Sequence, residues 1–186
     1  MAGWERKVTK KSAFLVKMTY LCACRKNKMK DYIIRLAGPQ DLPAVNSLLQ
    51  QVLTVHHNGR PDLFKPVGKK YTDDELLRIF ANAETPVFVY DSDGSVLGYA
   101  FCALQRQGSG SLQELTTLYI DDICVDENAR GRHVGTALFE HVECFAREKG
   151  CYNITLHVWE CNPVARAFYD ALGMSPQYTS MELICR

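Results

Sequence analysis

The sequence predicts an α/β domain of the α+β, three-layer kind, with a central mixed and mostly antiparallel sheet between layers of helix. Three observations predict it. First, the run from Leu118 to Val125 is apolar and β-branched, breaks at Asp126-Glu127-Asn128, turns through Arg130 to Gly135 and then takes up helical spacing at Leu138, Val142 and Phe145. Second, Asn153 to Val158 alternates as a strand and follows that helix, so it is expected to lie parallel to the strand before the helix. Third, Pro86 to Tyr90 and Val96 to Leu104 are separated only by Asp91-Ser92-Asp93-Gly94-Ser95, which predicts an antiparallel pair.

The remaining elements follow in chain order. Tyr32 to Leu36 reads as a first strand. Asp41 is the expected N-cap of a helix with Pro43 in its first turn, and Val45, Leu48, Leu49, Val52 and Leu53 fall on one face. His56 to Pro61 ends it. Thr72-Asp73-Asp74-Glu75 has the spacing of a capping box and opens a second helix through Leu76, Leu77, Ile79 and Phe80. Gln107 to Ser111 is a flexible connection. Asn162 and Pro163 suit the N-cap and first position of a last helix, and Tyr178 to Ile184 is expected as a closing strand. With 186 residues and no internal repeat the chain suits one domain, 31–186, preceded by a basic extension, 1–30.

Charge divides the chain at that boundary. Met1 to Lys30 holds nine Lys and Arg against one acid, leaving 13 basic and 20 acidic residues in the rest. An acidic body disfavours nucleic acid as a partner and is compatible with a cationic amine. Within the extension, Lys17 interrupts the apolar residues between Ala13 and Cys24, so the run is too short and broken to span a bilayer and no membrane partner is expected. The alternatives are a secretory signal with a lipoprotein-like box at Leu21-Cys22-Ala23-Cys24, a loosely ordered extension, or the product of an upstream start codon. The eight cysteines form no Cys-x-x-Cys pair and several lie in apolar runs, which reads as small buried thiols in a reducing, cytoplasmic compartment with no metal.

The chemistry concentrates after Val125. Glycines at a strand-to-helix turn let the backbone bend and a ligand approach, and the first helical turn presents unpaired N–H groups at the positive end of its dipole. That is a site for an anion such as a diphosphate. A P-loop is excluded because Gly135-Thr136-Ala137 lacks the lysine, and a Rossmann turn because this one lies late in the chain after an acidic strand.

The turn resembles the acyl-coenzyme A loop of the GNAT acetyltransferase family, whose pattern is Arg/Gln-x-x-Gly-x-Gly/Ala. Arg130 and Gly135 match its ends, and His133 stands in place of its first glycine. Asn162 to Met174 is similar to the family's Asn-x-x-Ala-x-x-x-Tyr-x-x-x-Gly-Phe segment, with Met174 for Phe, and the resemblance covers about Tyr32 to Ile184. It implies the GNAT fold: about six to seven strands, about four helices, and a parallel strand pair that splays apart at the cofactor site. It also implies acetyl-CoA as co-substrate. On this resemblance Arg130, Gly131, Arg132, His133, Val134, Gly135 and Thr136 hold the diphosphate, and the backbone of Ile123, Cys124 and Val125 holds the pantetheine arm. Asn162 binds the coenzyme or caps its helix. Tyr169 matches the general acid to the coenzyme's sulfur, and a phenol with a pKa of about 10 stays protonated at neutral pH. Asp121 stands where related enzymes carry a Glu that deprotonates the amine. In an extended strand Asp121 and Asp122 are expected on opposite faces. His56, His57, Arg60 and Phe64 follow the first helix and are candidates for the acceptor pocket, whereas Trp159 and Glu160 receive no role.

The implied function is acetyl-CoA-dependent transfer of an acyl group to a primary amine, on a small molecule or a peptide, by direct attack within a ternary complex. The alternative is a non-catalytic acyl-CoA-binding or sensor domain, and a Cys nucleophile ranks third because no base is placed beside any cysteine. Acceptor identity, acyl length and the choice between monomer and homodimer stay open. Deleting Met1 to Lys28 is expected to leave the melting temperature and acetyl-CoA affinity nearly unchanged, and loss of soluble folded protein would place the extension in the core.

Overall fold

The structure is a computed structural model that describes residues 31–111 and 113–185. The 1–30 extension, with Cys22 and Cys24, lies outside the described residues. In chain order the elements are β1 (Ile33–Leu36), α1 (Leu42–Gly59), α2 (Asp73–Phe80), β2 (Val87–Ser92), β3 (Ser95–Gln107), β4 (Leu115–Val125), α3 (Val134–Glu148), β5 (Asn153–Leu156) and α4 (Pro163–Ala171). They form one sheet in the order β1-β2-β3-β4-β5, antiparallel except for the parallel β4–β5 pair joined by α3. The β2–β3 turn has two left-handed residues, Asp93 at φ 50° and Gly94 at φ 81°. That conformation matches the strand twist, and the Asp91 carboxylate closes the turn by accepting from Gly94 N–H at 2.8 Å. The capping box also forms, with Glu75 N–H donating to Thr72 Oγ1 and Thr72 N–H to Glu75 Oε2.

Strand alternation divides the interior between two faces. Val87, Val89, Tyr99 and Phe101 pack with Val45, Leu48 and Leu49 of α1 and Leu76 of α2. Phe88, Tyr90, Ala100 and Cys102 point the other way, onto Val134, Leu138, Phe139 and Val142 of α3. Helix, sheet and helix are thus the three expected layers, and burial of these two apolar sets is the main force holding them together.

Two expectations need correction. Tyr178 to Ile184 is not a strand, so among the described residues the sheet has five strands and not six to seven. The neighbouring β5 offers only four residues of edge. The segment is tied by side chains instead, the Tyr178 hydroxyl to His157 Nε2 and Glu182 to Arg60, while Met181 and Leu183 stay exposed. Asp41 occupies the N-cap position of α1 but makes no capping bond. Its buried carboxylate takes the Arg35 guanidinium at 2.7 and 2.8 Å and Gly38 N–H at 2.8 Å, and the same guanidinium reaches Asp91 at 2.7 and 3.0 Å. A cap would give this carboxylate one further N–H bond, whereas the guanidinium gives it two parallel ones and an opposite charge, so the carboxylate turns to it.

This network ties β1 to the start of α1 and the end of β2. The Arg35 hydrogen bonds hold the Asp41 carboxyl below the usual carboxylate range despite burial. A group with a depressed folded pKa contributes stability that is present above its unfolded pKa of about 3.9 and lost as pH falls through the folded value. Asp41→Ala is expected to destabilise by about 2 to 3 kcal/mol at pH 7, less than a fully broken buried pair because Asp91 remains. In denaturant titrations between pH 7 and pH 3 the gap between wild type and variant should narrow toward acid, and an unchanged gap would remove the ion pair from the account.

Candidate functional site

Strand β4 is paired with β3 from Leu115↔Gln107 to Val125↔Gly98, with one interruption at Asp121. On its other side it pairs with β5 only from Thr117↔Asn153 to Ile120↔Leu156. From Asp121 to Val125 that edge is therefore open, and its backbone groups there are available to an extended ligand as a missing strand would use them. This is the splay expected at Ile123, Cys124 and Val125.

The open edge leads into the turn. Asp126 caps a short 3₁₀ segment, Glu127–Ala129, by accepting from Asn128 N–H. Arg130, Gly131, Arg132 and His133 follow, all exposed. Gly131 has φ 74° and His133 φ 61°, so the histidine adopts the left-handed conformation that the family's glycine would supply. Ala137 N–H bonds His133 O at 3.0 Å as the first rung of α3, leaving Val134, Gly135 and Thr136 N–H outside the helical ladder. Two arginines and these N–H groups fit a diphosphate. Gly135 also meets a packing need. A Cβ there would lie 3.2 Å from Phe168 Cζ and 3.4 Å from Val125 Cγ2, so its missing side chain makes room for α4 against α3 and β4.

Opposite Asp121 the β3–β4 register slips: Asp122 faces Phe101 and Ile120 faces Cys102, so Asp121 is the extra residue of a β-bulge. The bulge breaks alternation, which corrects the expectation that the two aspartates point to opposite faces. Both carboxylates reach one cation, the Lys70 ammonium, 2.8 Å from Asp121 Oδ2 and 3.8 Å from Asp122 Oδ2. Tyr71 donates to Asp121 at 3.0 Å and Tyr99 to Asp122 at 3.0 Å. Burial pushes the Asp122 carboxyl up, with Lys70 and the Tyr99 hydrogen bond opposing. Burial works against the Lys70 ammonium, but Asp122 and Asp121 outweigh it and its pKa rises.

Helix α4 supplies the third wall. Asn162 Oδ1 accepts Ala165 N–H at 3.1 Å, the capping bond expected of it. Tyr169 is the buried aromatic of this helix, and its hydroxyl has no hydrogen-bond partner among the described residues. Burial, with the Asp122 charge added, raises its pKa above the usual phenol range. Phe168 packs on Gly135 and, with its centroid 5.2 Å away, on the Tyr169 ring.

Beyond the carboxylates stands an aromatic wall. Phe64 lies 4.9 Å from the His56 ring and 5.4 Å from Trp159, which the sequence left without a role. Arg60 sits over Trp159 at 6.0 Å and pairs with Asp62 and Glu182. His57 Nδ1 meets Phe64 O at 2.8 Å and pins the loop. Burial lowers the His56 pKa against the pull of Asp122, so its imidazole is neutral at pH 7. Lys70, Tyr71 and Tyr99 went unnoticed because no local pattern marks them. The six cysteines among the described residues form no disulfide. Cys161 and Cys185 are exposed, against expectation, because the segments carrying them cross the surface. Burial pushes Cys102 and Cys124 up to about 12, which opposes a thiolate nucleophile at either.

Residues 52–174 match the acetyltransferase (GNAT) family model. A glucosamine 6-phosphate N-acetyltransferase of Trypanosoma brucei brucei is 28% identical over 107 residues, 58% of this chain and 69% of that protein. In five curated relatives the match spans from 31% to 75% of the relative's own length. The crystal structure of a single-site mutant of the BH1408 protein from Bacillus halodurans superposes with a TM-score of 0.79 at 31% identity, covering 83% of this chain and 99% of that one. An aminoglycoside N-acetyltransferase, AAC(6')-Iy, in complex with CoA shares the fold at a TM-score of 0.61 and 18% identity, over 83% of this chain and 95% of that one.

The left-handed residue at position 133 gives a direct test of the turn. His133→Gly is expected to keep acetyl-CoA affinity and to match or exceed wild-type stability by up to about 1 kcal/mol, since relief of backbone strain is offset by added freedom in the unfolded chain. His133→Val should lower both affinity and melting temperature, because a β-branched residue resists positive φ. Equal behaviour of the two variants in calorimetry and thermal melts would contradict the assigned conformation.

Proposed function

The chain belongs to the acetyltransferase (GNAT) family; from that premise we propose that it is an N-acetyltransferase that moves the acetyl group of acetyl-CoA directly to a primary amine, and that the amine is a small cationic one. The observation that carries this is the carboxylate pair, Asp121 and Asp122, placed by the bulge where β4 loses its β5 partner. Bound acetyl-CoA would supply an activated acetyl thioester there. Arg130, Arg132 and the N–H groups of Val134 to Thr136 would hold its diphosphate, and the open edge at Ile123 to Val125 its amide-bearing arm.

The residues around that edge divide the remaining work. Asp121 and Asp122 attract an ammonium, and Asp122, with its raised pKa, is the stronger base to take its proton. This shifts the base from Asp121, which Lys70 and Tyr71 engage directly. Phe64, Trp159 and neutral His56 offer an apolar wall for the body of the acceptor. Tyr169, kept protonated by burial, has a hydroxyl free to give the departing thiolate its proton. An oxyanion donor is available in the open backbone N–H groups of β4. The names of relatives, which acetylate glucosamine 6-phosphate or aminoglycosides, support an amino-sugar amine as the first acceptor to try.

Release of free CoA thiol against a panel of amino sugars, aminoglycosides, polyamines, amino acids and Lys peptides tests the reading. Turnover of a small cationic amine is expected, and acetyl-CoA binding with no turnover across the panel would replace it by a binding domain. With an accepted amine, Tyr169→Phe should lower kcat by roughly 10² to 10⁴-fold and change acetyl-CoA affinity little, because the proton is needed only as the C–S bond breaks. Wild-type kcat would remove Tyr169 from the mechanism.

The pH profile carries a sign. Asp122 works ionised, so activity should rise with pH through an acid limb above the usual aspartate value of about 3.9. Asp122→Asn should lower kcat by roughly 10²-fold or more and abolish that limb. A limb that survives in the variant would assign it elsewhere.

A further inference from the structure

A primary amine of the protein itself already meets the carboxylate pair. Lys70 lies in the connection between α1 and α2, with its Nζ 2.8 Å from Asp121 Oδ2, 3.8 Å from Asp122 Oδ2 and 5.4 Å from the Tyr71 ring centroid. These are the two carboxylates that an incoming ammonium has to meet before it can lose a proton. They stand where the β4–β5 ladder ends, and the Tyr169 hydroxyl feels the Asp122 charge. The preceding residue gives the contrast. Lys69 is more exposed, 61% against 41% for Lys70, and its ammonium pairs with Asp73 on α2, away from the open edge.

We propose that Lys70 is an acceptor built into the protein: its ε-amine occupies the acceptor position and is acetylated by the same site when no external amine is present. This rests on the proposed function. One proton of the Lys70 ammonium passes to the Asp121–Asp122 pair and on to solvent. The freed lone pair then forms the C–N bond to the carbonyl carbon of the acetyl thioester. The C–S bond breaks with its electron pair on sulfur, and the thiolate takes a proton from the Tyr169 hydroxyl. The nitrogen loses its second proton as the amide forms, and that proton restores the phenol. The products are Nε-acetyl-Lys70 and free CoA, with no change in oxidation state. Acetyl-lysine is neutral and no longer bridges the aspartates, so the modification releases both carboxylates.

Chemical acetylation by the thioester in solution attacks exposed, unprotonated lysines, and Lys70 is a poor target for it. Its ammonium is held between two acids and its pKa is raised. Selective labelling at Lys70 over Lys69 therefore reports the site's own machinery.

The test is to incubate the full chain with acetyl-CoA and no amine, then map acetylated peptides by mass spectrometry over time. The expected result is label at Lys70 well ahead of Lys69, at a rate per molecule independent of protein concentration. Asp122→Asn should slow it by roughly 10²-fold, and excess of an accepted amine should slow it by competition. Lys70→Arg, which keeps the charge, should abolish the label at this position without moving it to Lys69. Label on Lys69 as fast as on Lys70, or no label on Lys70 in protein that turns over an external amine, overturns the proposal and leaves the proposed function standing. Protein that binds acetyl-CoA, acetylates no amine of the panel and leaves Lys70 unmodified overturns both.

Discussion

Strand β4 has two neighbours up to Ile120 and one from Asp121 onward, and the functional half of the molecule depends on that loss of a partner. Unsatisfied backbone groups within a domain carry a cost of desolvation, so an edge left open beside a packed core is retained where something else completes it. The constraint arises from lengths. β4 runs eleven residues and β5 four, and the crossover through α3 sets where the shorter strand begins. The rest of the sheet is held closed by β3, which pairs with β2 from Ser95 to Phe101 and with β4 from Gly98 to Gln107 and contributes to both apolar faces.

The bulge at Asp121 adds chemistry to this edge. Without it, Asp122 and Cys124 would turn toward α3 and leave a single aspartate on the side of α1. With it, Asp122 meets Tyr99, Cys124 joins the core beneath α1, and Ile123 packs on the α3 side. One extra residue therefore gathers two acids, a lysine and two tyrosines where the strand is open. The energetic consequence is a buried carboxylate whose charge burial opposes and Lys70 and Tyr99 favour, a balance that suits proton transfer more than stability.

Much of this was legible in the residues. Periodicity together with cap and turn signals located the four helices and five strands of the described residues, the Thr72–Glu75 box and the Asp93-Gly94 turn formed as their spacing required, and parallel β4–β5 pairing followed from the helix between them. The strand-to-helix turn was legible too, and two linked motifs carry its resemblance to a coenzyme loop. What escaped was long-range. No local pattern says that Asp41 is drawn from its cap by Arg35, that Gly135 is small because Phe168 lies over it, or that Lys70 crosses to Asp121, 51 residues away. The bulge escaped because Ile-Asp-Asp-Ile reads as regular alternation until the β3 register is known. The closing strand failed because an apolar run needs an edge long enough to pair with as well as a suitable composition, and β5 offers four residues.

If the chain binds acetyl-CoA as proposed, the open edge of β4 and the turn after it form one continuous site. Hydrogen–deuterium exchange of backbone amides with and without acetyl-CoA measures this directly. Slowed exchange is expected together in Asp121 to Val125 and in Arg130 to Thr136, while the amides of β2 stay unchanged. Binding that protects neither stretch, or that protects residues elsewhere on the sheet, would contradict it.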